Sequence, residues 1–357
     1  RAKAQELQAK QKGFTLLELL VVITLLATLA TAALVAYDGI GENARDASAA
    51  TAVTALEGTL RNYRGVVGEY PEQFDNLANI DAIIDDGNTP PTDIGAMQLM
   101  SDETKAFFGQ LVFSAAQADG AAGLPKLIFD SLRETGLEEL QSVQSGTQWN
   151  NGFVPNLAMN ESYPEVSALP GSEVEFTAAG AMELAEDTIA TNGFTNVAIS
   201  IVPSGGASAQ DVTDGEASAT GCQALAAADL QSAFDASTVS DNKRLNLISD
   251  GLESNGCDLV VALGVGKEVP GATLGQPVEI SQVPTVGTND VNPKTNYARG
   301  IALFHVGQDG SDGSVPNGVI DTTEVFTKAR LVAVVDPEGR AIGQIAAAAI
   351  SDATVED

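Results

Sequence analysis

The sequence predicts an α+β protein. A long N-terminal α-helix, half transmembrane and half amphipathic, would carry a globular head containing helices and a mostly antiparallel β-sheet. Three observations lead there. Residues 14–37 form a 24-residue stretch with a single charged residue, Glu18. An apolar stripe at helical spacing follows it. Beyond residue 69, helical patterns come first and strand patterns later, the order of an α+β head rather than of alternating βαβ units.

The apolar stretch comes first in the chain. As a helix it would be about 36 Å long, enough to cross a hydrocarbon core. Arg1, Lys3, Lys10 and Lys12 precede it with only Glu6 opposing them, which predicts a cytoplasmic N-terminus. A secretory signal has a shorter apolar core followed by a small-residue cleavage site. A plain anchor accounts for the length but not for Glu18, because a carboxylate in lipid costs several kcal/mol without a partner.

The order Lys12-Gly13-Phe14-Thr15-Leu16-Leu17-Glu18, with the basic residues before it and the apolar run after it, resembles the type IV pilin family. The resemblance covers about residues 1–71 and implies several features. Residues 1–13 would be a leader peptide, cut after Gly13 by a prepilin peptidase on the cytoplasmic side. Phe14 would become the N-methylated terminus. Glu18 would be the assembly acid, paired with the Phe14 amine of a neighbouring subunit as the helix passes from the bilayer into a bundle of identical helices. That amine is a cation at matching depth, so the pair would set one axial register. Pilins of this family commonly carry a proline or glycine early in the mature helix, whereas residues 15–38 here contain neither.

Val53, Leu56, Leu60, Tyr63 and Val67 continue the helix as a 3-4-3-4 stripe. The helix is therefore expected over residues 14–64, loosened at Gly39–Gly41 and ended before Pro71, within an N-terminal helical segment of 14–68. In the head, helices are expected near 73–84, 102–117, 125–135, 177–191 and 222–235. Strands are expected at 196–202, 258–264, 278–283, 297–306, 322–325 and 329–335. A boundary near 165–172 divides a helical part, 69–170, from a strand-rich part, 171–357.

Charge narrows the function. The chain carries 48 acidic and 18 basic residues, net −30. Without residues 1–13, which hold four basic residues and one acid, the net charge moves to −33. Such a body repels nucleic acid and anionic lipid. Cys222 and Cys257 are too few for a zinc site and, outside the cytoplasm, read as one disulfide, with two buried thiols as the alternative. The segment 307–324 offers Asp309, Asp312, Asn317, Asp321 and Glu324 around flexible glycines, which suits calcium; the other reading is a solvated turn between strands.

Enzyme motifs are thin. The Ser-x-x-Lys at 240–243 lacks the companion elements of penicillin-binding enzymes. His305, the only histidine, lies in an apolar strand pattern and is expected to be packed, and Trp149 is expected to anchor a loop. No enzymatic activity is expected. The sequence is read as a structural subunit of a type IV pilus-like extracellular filament, starting as an inner-membrane precursor. Its partners would be copies of itself, the prepilin peptidase, and an inner-membrane assembly platform with its ATPase. The alternatives are a pseudopilin of type II secretion, confined to the periplasm, and a membrane-anchored envelope enzyme or binding protein.

Overall fold

The computed structural model describes residues 15–78, 104, 107–114, 123–142, 181–183, 196–202, 223–224, 231–232, 248, 252, 257–265, 283, 291, 297–315 and 319–353. Helix α1, Leu16–Val67, is 52 residues long and runs unbroken through Gly39 and Gly41. Leu and Ala dominate it, and both favour helix. The terminator is Gly68 rather than Pro71. Gly68 adopts φ 95°, a left-handed conformation open to glycine at little cost, and its N–H donates to the Arg64 carbonyl at 2.8 Å.

The two halves of α1 have different fates. Leu16–Leu34 is apolar, none of it buried, and about 28 Å long, close to the thickness of a hydrocarbon core. Lower on the helix, Ala49, Val53, Leu56 and Leu60 are fully buried against the head. The stripe stops there: Tyr63 is half-buried and Val67 exposed, so the sequence reading ran one turn too far.

The head follows as β1 (Gln73–Asn76), β2 (Gly109–Ser114), α2 (Leu124–Arg133), β3 (Glu139–Ser142), β4 (Ala181–Glu183), β5 (Asn196–Val202), β6 (Gln223–Ala224) and β7 (Gln231–Ser232). After these come β8 (Asp258–Gly264), β9 (Ile301–Gln308), β10 (Val319–Ile320), β11 (Val325–Val335) and α3 (Ile342–Ala353). Among the described residues nine strands make one sheet, with path β4-β3-β1-β8-β5-β2-β7 and with β9 and β11 joined through β8. Its pairings are antiparallel except β1–β3; β6 and β10 form a separate parallel pair.

Strands β5 and β8 have the bounds the sequence predicts, and α2 fits the predicted 125–135 with Pro125 in its first turn. The expected strand 329–335 lies within β11, which already begins at Val325; of the expected strand 322–325, residues 322–324 are a turn instead. Other expectations are corrected. Residues 73–76, 109–114, 181–183, 223–224 and 231–232, all read as helix, are strands. Their helical appearance came from local composition, whereas pairing partners decide short apolar runs; β2 lies against β5 over six register positions. Val283 is buried but lies outside any strand. Helix α3, not foreseen, is Ala-rich and packs along α1.

The sheet forks at β8. One edge of β8 pairs with β9; the other is divided, Leu263–Gly264 to β1 and Val260–Val261 to β5. At the fork, side chains replace ladder bonds. Asn76 Oδ1 accepts from the Ser200 N–H at 3.0 Å, Ser200 Oγ lies 3.0 Å from the same oxygen and also reaches the Ala262 carbonyl, and Leu77 N donates to Ser200 Oγ at 3.1 Å. All four groups are buried, where an unmade bond would be costly.

Beside the fork, Tyr297 donates its hydroxyl to Asp75 Oδ2 at 2.8 Å, and Asp75, Tyr297 and Arg299 are all fully buried. The Tyr297 hydroxyl lies 2.1 Å from where a Cβ on Gly264 would stand, so the close approach requires glycine there. Burial pushes the Asp75 carboxyl up to about 7, against the pull of Arg299.

Two outcomes are expected. The folded protein binds the Asp75 proton more tightly than the unfolded chain, so stability should fall as pH rises between about 4 and about 7, by up to about 4 kcal/mol, then level off. Asp75→Asn should flatten that part of the profile; denaturant melts of both proteins across this pH range check it. Gly264→Ala should displace Tyr297 and cost roughly 1–3 kcal/mol, read as a lower urea midpoint at unchanged m-value.

Candidate functional site

At the N-terminus of α1 the helix itself positions the predicted assembly acid. Thr15 is the N-cap with extended backbone, and its Oγ1 accepts from the Glu18 N–H at 3.3 Å. In return Glu18 Oε2 accepts from the Thr15 N–H at 2.9 Å and from Thr15 Oγ1 at 3.0 Å. This is a capping box, legible in the sequence as Thr-x-x-Glu before an apolar run, although the sequence reading used Glu18 only for assembly. The carboxylate also sits at the positive end of its own helix dipole. Gly13 and Phe14, the predicted cleavage and methylation positions, lie outside the described residues.

The rest of this segment offers lipid or protein only apolar surface. Leu16, Leu17, Leu19, Leu20 and Leu25 are all more than half exposed. Thr24, Thr28 and Thr31 turn their hydroxyls back onto helix carbonyls at 2.9–3.0 Å, so no polar group is left facing outward from them.

Of the acidic segment 307–324, the described residues are 307–315 and 319–324; they hold the end of β9, a turn, and β10 before β11 begins. At their centre is Glu324, 1% exposed, which accepts from the Gly310 N–H at 2.6 Å, Ser314 Oγ at 3.1 Å and the Asp321 N–H at 2.9 Å. Asp312 accepts from the Ser314 N–H and from Thr323 Oγ1, each at 2.8 Å; the Ser314 bonds, with help from Thr323, hold its carboxyl below the usual range. Asp321 accepts from the Thr323 N–H at 2.7 Å. Asp309 is buried, and its N–H donates to the Cys257 carbonyl at 2.9 Å. Three of the expected calcium ligands, Asp312, Asp321 and Glu324, are thus tied into one hydrogen-bonded cluster, with their carboxylates facing N–H and O–H donors. No group of three or more His, Cys, Asp or Glu side chains among the described residues could hold a metal ion. Asn317 lies outside the described residues.

Cys257 is buried and disulfide-bonded; Cys222, the only other cysteine in the chain, lies outside the described residues. His305 is packed in β9 as expected, with its Nε2 2.8 Å from Asp258 Oδ1 and its ring edge-on to Phe326. Trp149 and the Ser-x-x-Lys stretch 240–243 lie outside the described residues.

A further cluster escaped the sequence reading. Arg340, after β11, lies 2.7 Å from Asp336, 3.0 Å from Glu338 and 3.4 Å from Asp46 of α1. All three carboxylates are nearly buried, and burial pushes Asp336 up against the pull of Arg340. The cluster ties the stem to the base of the head across 294 positions of sequence, a contact no local pattern announces.

No curated protein and no solved structure matches the chain. One family model does match, the prokaryotic N-terminal methylation motif, over residues 8–34. The matched span contains Gly13, Phe14, the Thr15–Glu18 capping box and the exposed apolar half of α1. The N-terminal segment is therefore a prokaryotic N-terminal methylation motif, the class III signal peptide of type IV pilins and pseudopilins.

Proposed function

We propose that this protein is a structural subunit of a type IV pilus-like extracellular filament that polymerises through α1. The observation that carries the reading is the exposure of Leu16–Leu34. A helix apolar on every side, with none of it buried in its own protomer, has two stable places: a bilayer or a bundle of like helices. The methylation motif at the same segment supports a route from one to the other.

In this reading Gly13 is the cleavage position and Phe14 the methylated terminus. Before assembly Glu18 is held by Thr15 of its own chain, which lowers the cost of keeping a carboxylate near the membrane interface. On assembly the amine of a neighbour's Phe14 takes over as the counter-charge. A Cys222–Cys257 disulfide fits an extracytoplasmic head, supported by the bonded state of Cys257. The prepilin peptidase, assembly platform and ATPase are the partners this route requires.

Mass analysis of the native N-terminus should find a chain beginning with a methylated Phe14; a chain still carrying residues 1–13 within an assembled polymer argues against the reading. Glu18→Gln should leave the head folded and the protein membrane-bound while reducing polymer yield at least about tenfold, since it removes a charge pair in a low-dielectric core. Polymer sheared from the cell surface and identified by mass spectrometry separates the pilus from a periplasmic pseudopilus. Recovery only from envelope fractions favours the latter.

A further inference from the structure

The stem of α1 carries one cation that the protomer leaves unused. Arg45 is exposed and, among the described residues, makes no hydrogen bond or ion pair. Its helix neighbour Asp46 is taken by Arg340. On a chain of net charge −30, an unpaired cation on an exposed stem is a scarce attractive group.

At the other end of the stem, beside its C-terminus, α2 and the start of β11 enclose a cleft of about 890 Å³. Glu69 and Glu134 stand on its rim, exposed and without an ion-pair partner among the described residues. Asp130 in the wall is engaged by Lys126 at 3.0 Å and by Arg133. Inside, Ser131 is 1% exposed, and its Oγ has no hydrogen-bond partner. Leu127 and Val325 supply apolar wall. Two rim carboxylates, an unsatisfied hydroxyl in the wall and apolar flanks suit a long cationic side chain, whose guanidinium would enter first and bond these groups while its methylenes pack on Leu127 and Val325.

We propose that this cleft receives Arg45 of a second copy of the chain, stacked along the stem axis. The contact rests on the filament reading above. Stems packed in parallel place identical residues at axial offsets. Arg45 lies 24 residues before Glu69, which follows directly on the helix C-cap Gly68, so a copy shifted by about 36 Å brings its Arg45 level with the cleft. The contact offsets the mutual repulsion of acidic heads and fixes which copies can stack.

The test uses the full chain in cells that assemble it. Arg45→Glu should cut the polymer mass sedimented from sheared surface material about tenfold. Combining it with Glu69→Arg and Glu134→Arg should restore most of it. A second variant pair avoids reliance on yield: Arg45→Cys with Glu69→Cys, mild oxidation, and electrophoresis of polymer against detergent-dispersed protomer. No free cysteine is present in the described structure to confuse the result. Each new disulfide forms as two thiols lose two electrons and two protons to the added oxidant. A ladder of cross-linked multimers from polymer, absent from dispersed protomers, is expected. If the wild type polymerises but Arg45→Glu polymerises equally and no ladder forms, the contact is wrong. If the wild type forms no polymer, the filament reading fails and the contact falls with it.

Discussion

The molecule is organised by a helix that cannot stay as it is in water. Leu16–Leu34 exposes apolar side chains on all sides, and among the described residues nothing in the head covers them. Burying such a surface is worth roughly 25 cal/mol per Å², so the segment is driven out of solvent into a bilayer or among other copies. Because transfer from lipid to a helix bundle brings little further hydrophobic gain, selectivity has to come from packing and from the few polar groups present. Glu18 and its capping box with Thr15 are those groups at the tip.

That demand shapes the rest of α1. The helix is continuous from Leu16 to Val67, so any force or tilt at the tip is transmitted to the head without a hinge of broken hydrogen bonds. Ala49, Val53, Leu56 and Leu60 then bury one stripe against the sheet, while Arg340 bonds Asp46 at the base of the head and Arg61 donates to the Val332 carbonyl higher up. Stem and head are thereby held together by one apolar contact and polar ties at two levels.

Inside the head, polar groups are placed where the sheet departs from regularity. The Asn76–Ser200 bonds fill the fork at β8, Asp75 and Tyr297 pair beside it, and Glu324 gathers donors between β9 and β11. In each place a side chain satisfies a backbone group or hydroxyl that the ladder leaves open. This explains how a head poor in aromatic residues, 5% of the chain, holds defined geometry: its specificity comes from buried hydrogen bonds as well as from shape.

Much of the N-terminal third of this account could be read from sequence, because its information is local. The apolar run, the single acid, the residues around Gly13 and the helical stripe each lie within a few turns, and helix physics acts over that range. The same holds for β5 and β8, whose apolar runs matched their final bounds. Residues 73–76 and 109–114 were misread because a short run becomes strand or helix according to partners far away, here Leu263–Gly264 and Asn196–Val202. The Asp46–Arg340 tie, the Asp75–Tyr297–Arg299 cluster and the cleft at Glu69 and Glu134 exist only once α1, α2 and the sheet are packed. Sequence alone determined that the N-terminal methylation motif leads into a helix long and apolar enough to cross a membrane. The tertiary structure decided which charges are buried, which are spent within the protomer, and which remain to meet another molecule, because those outcomes depend on distances between residues that no local pattern relates.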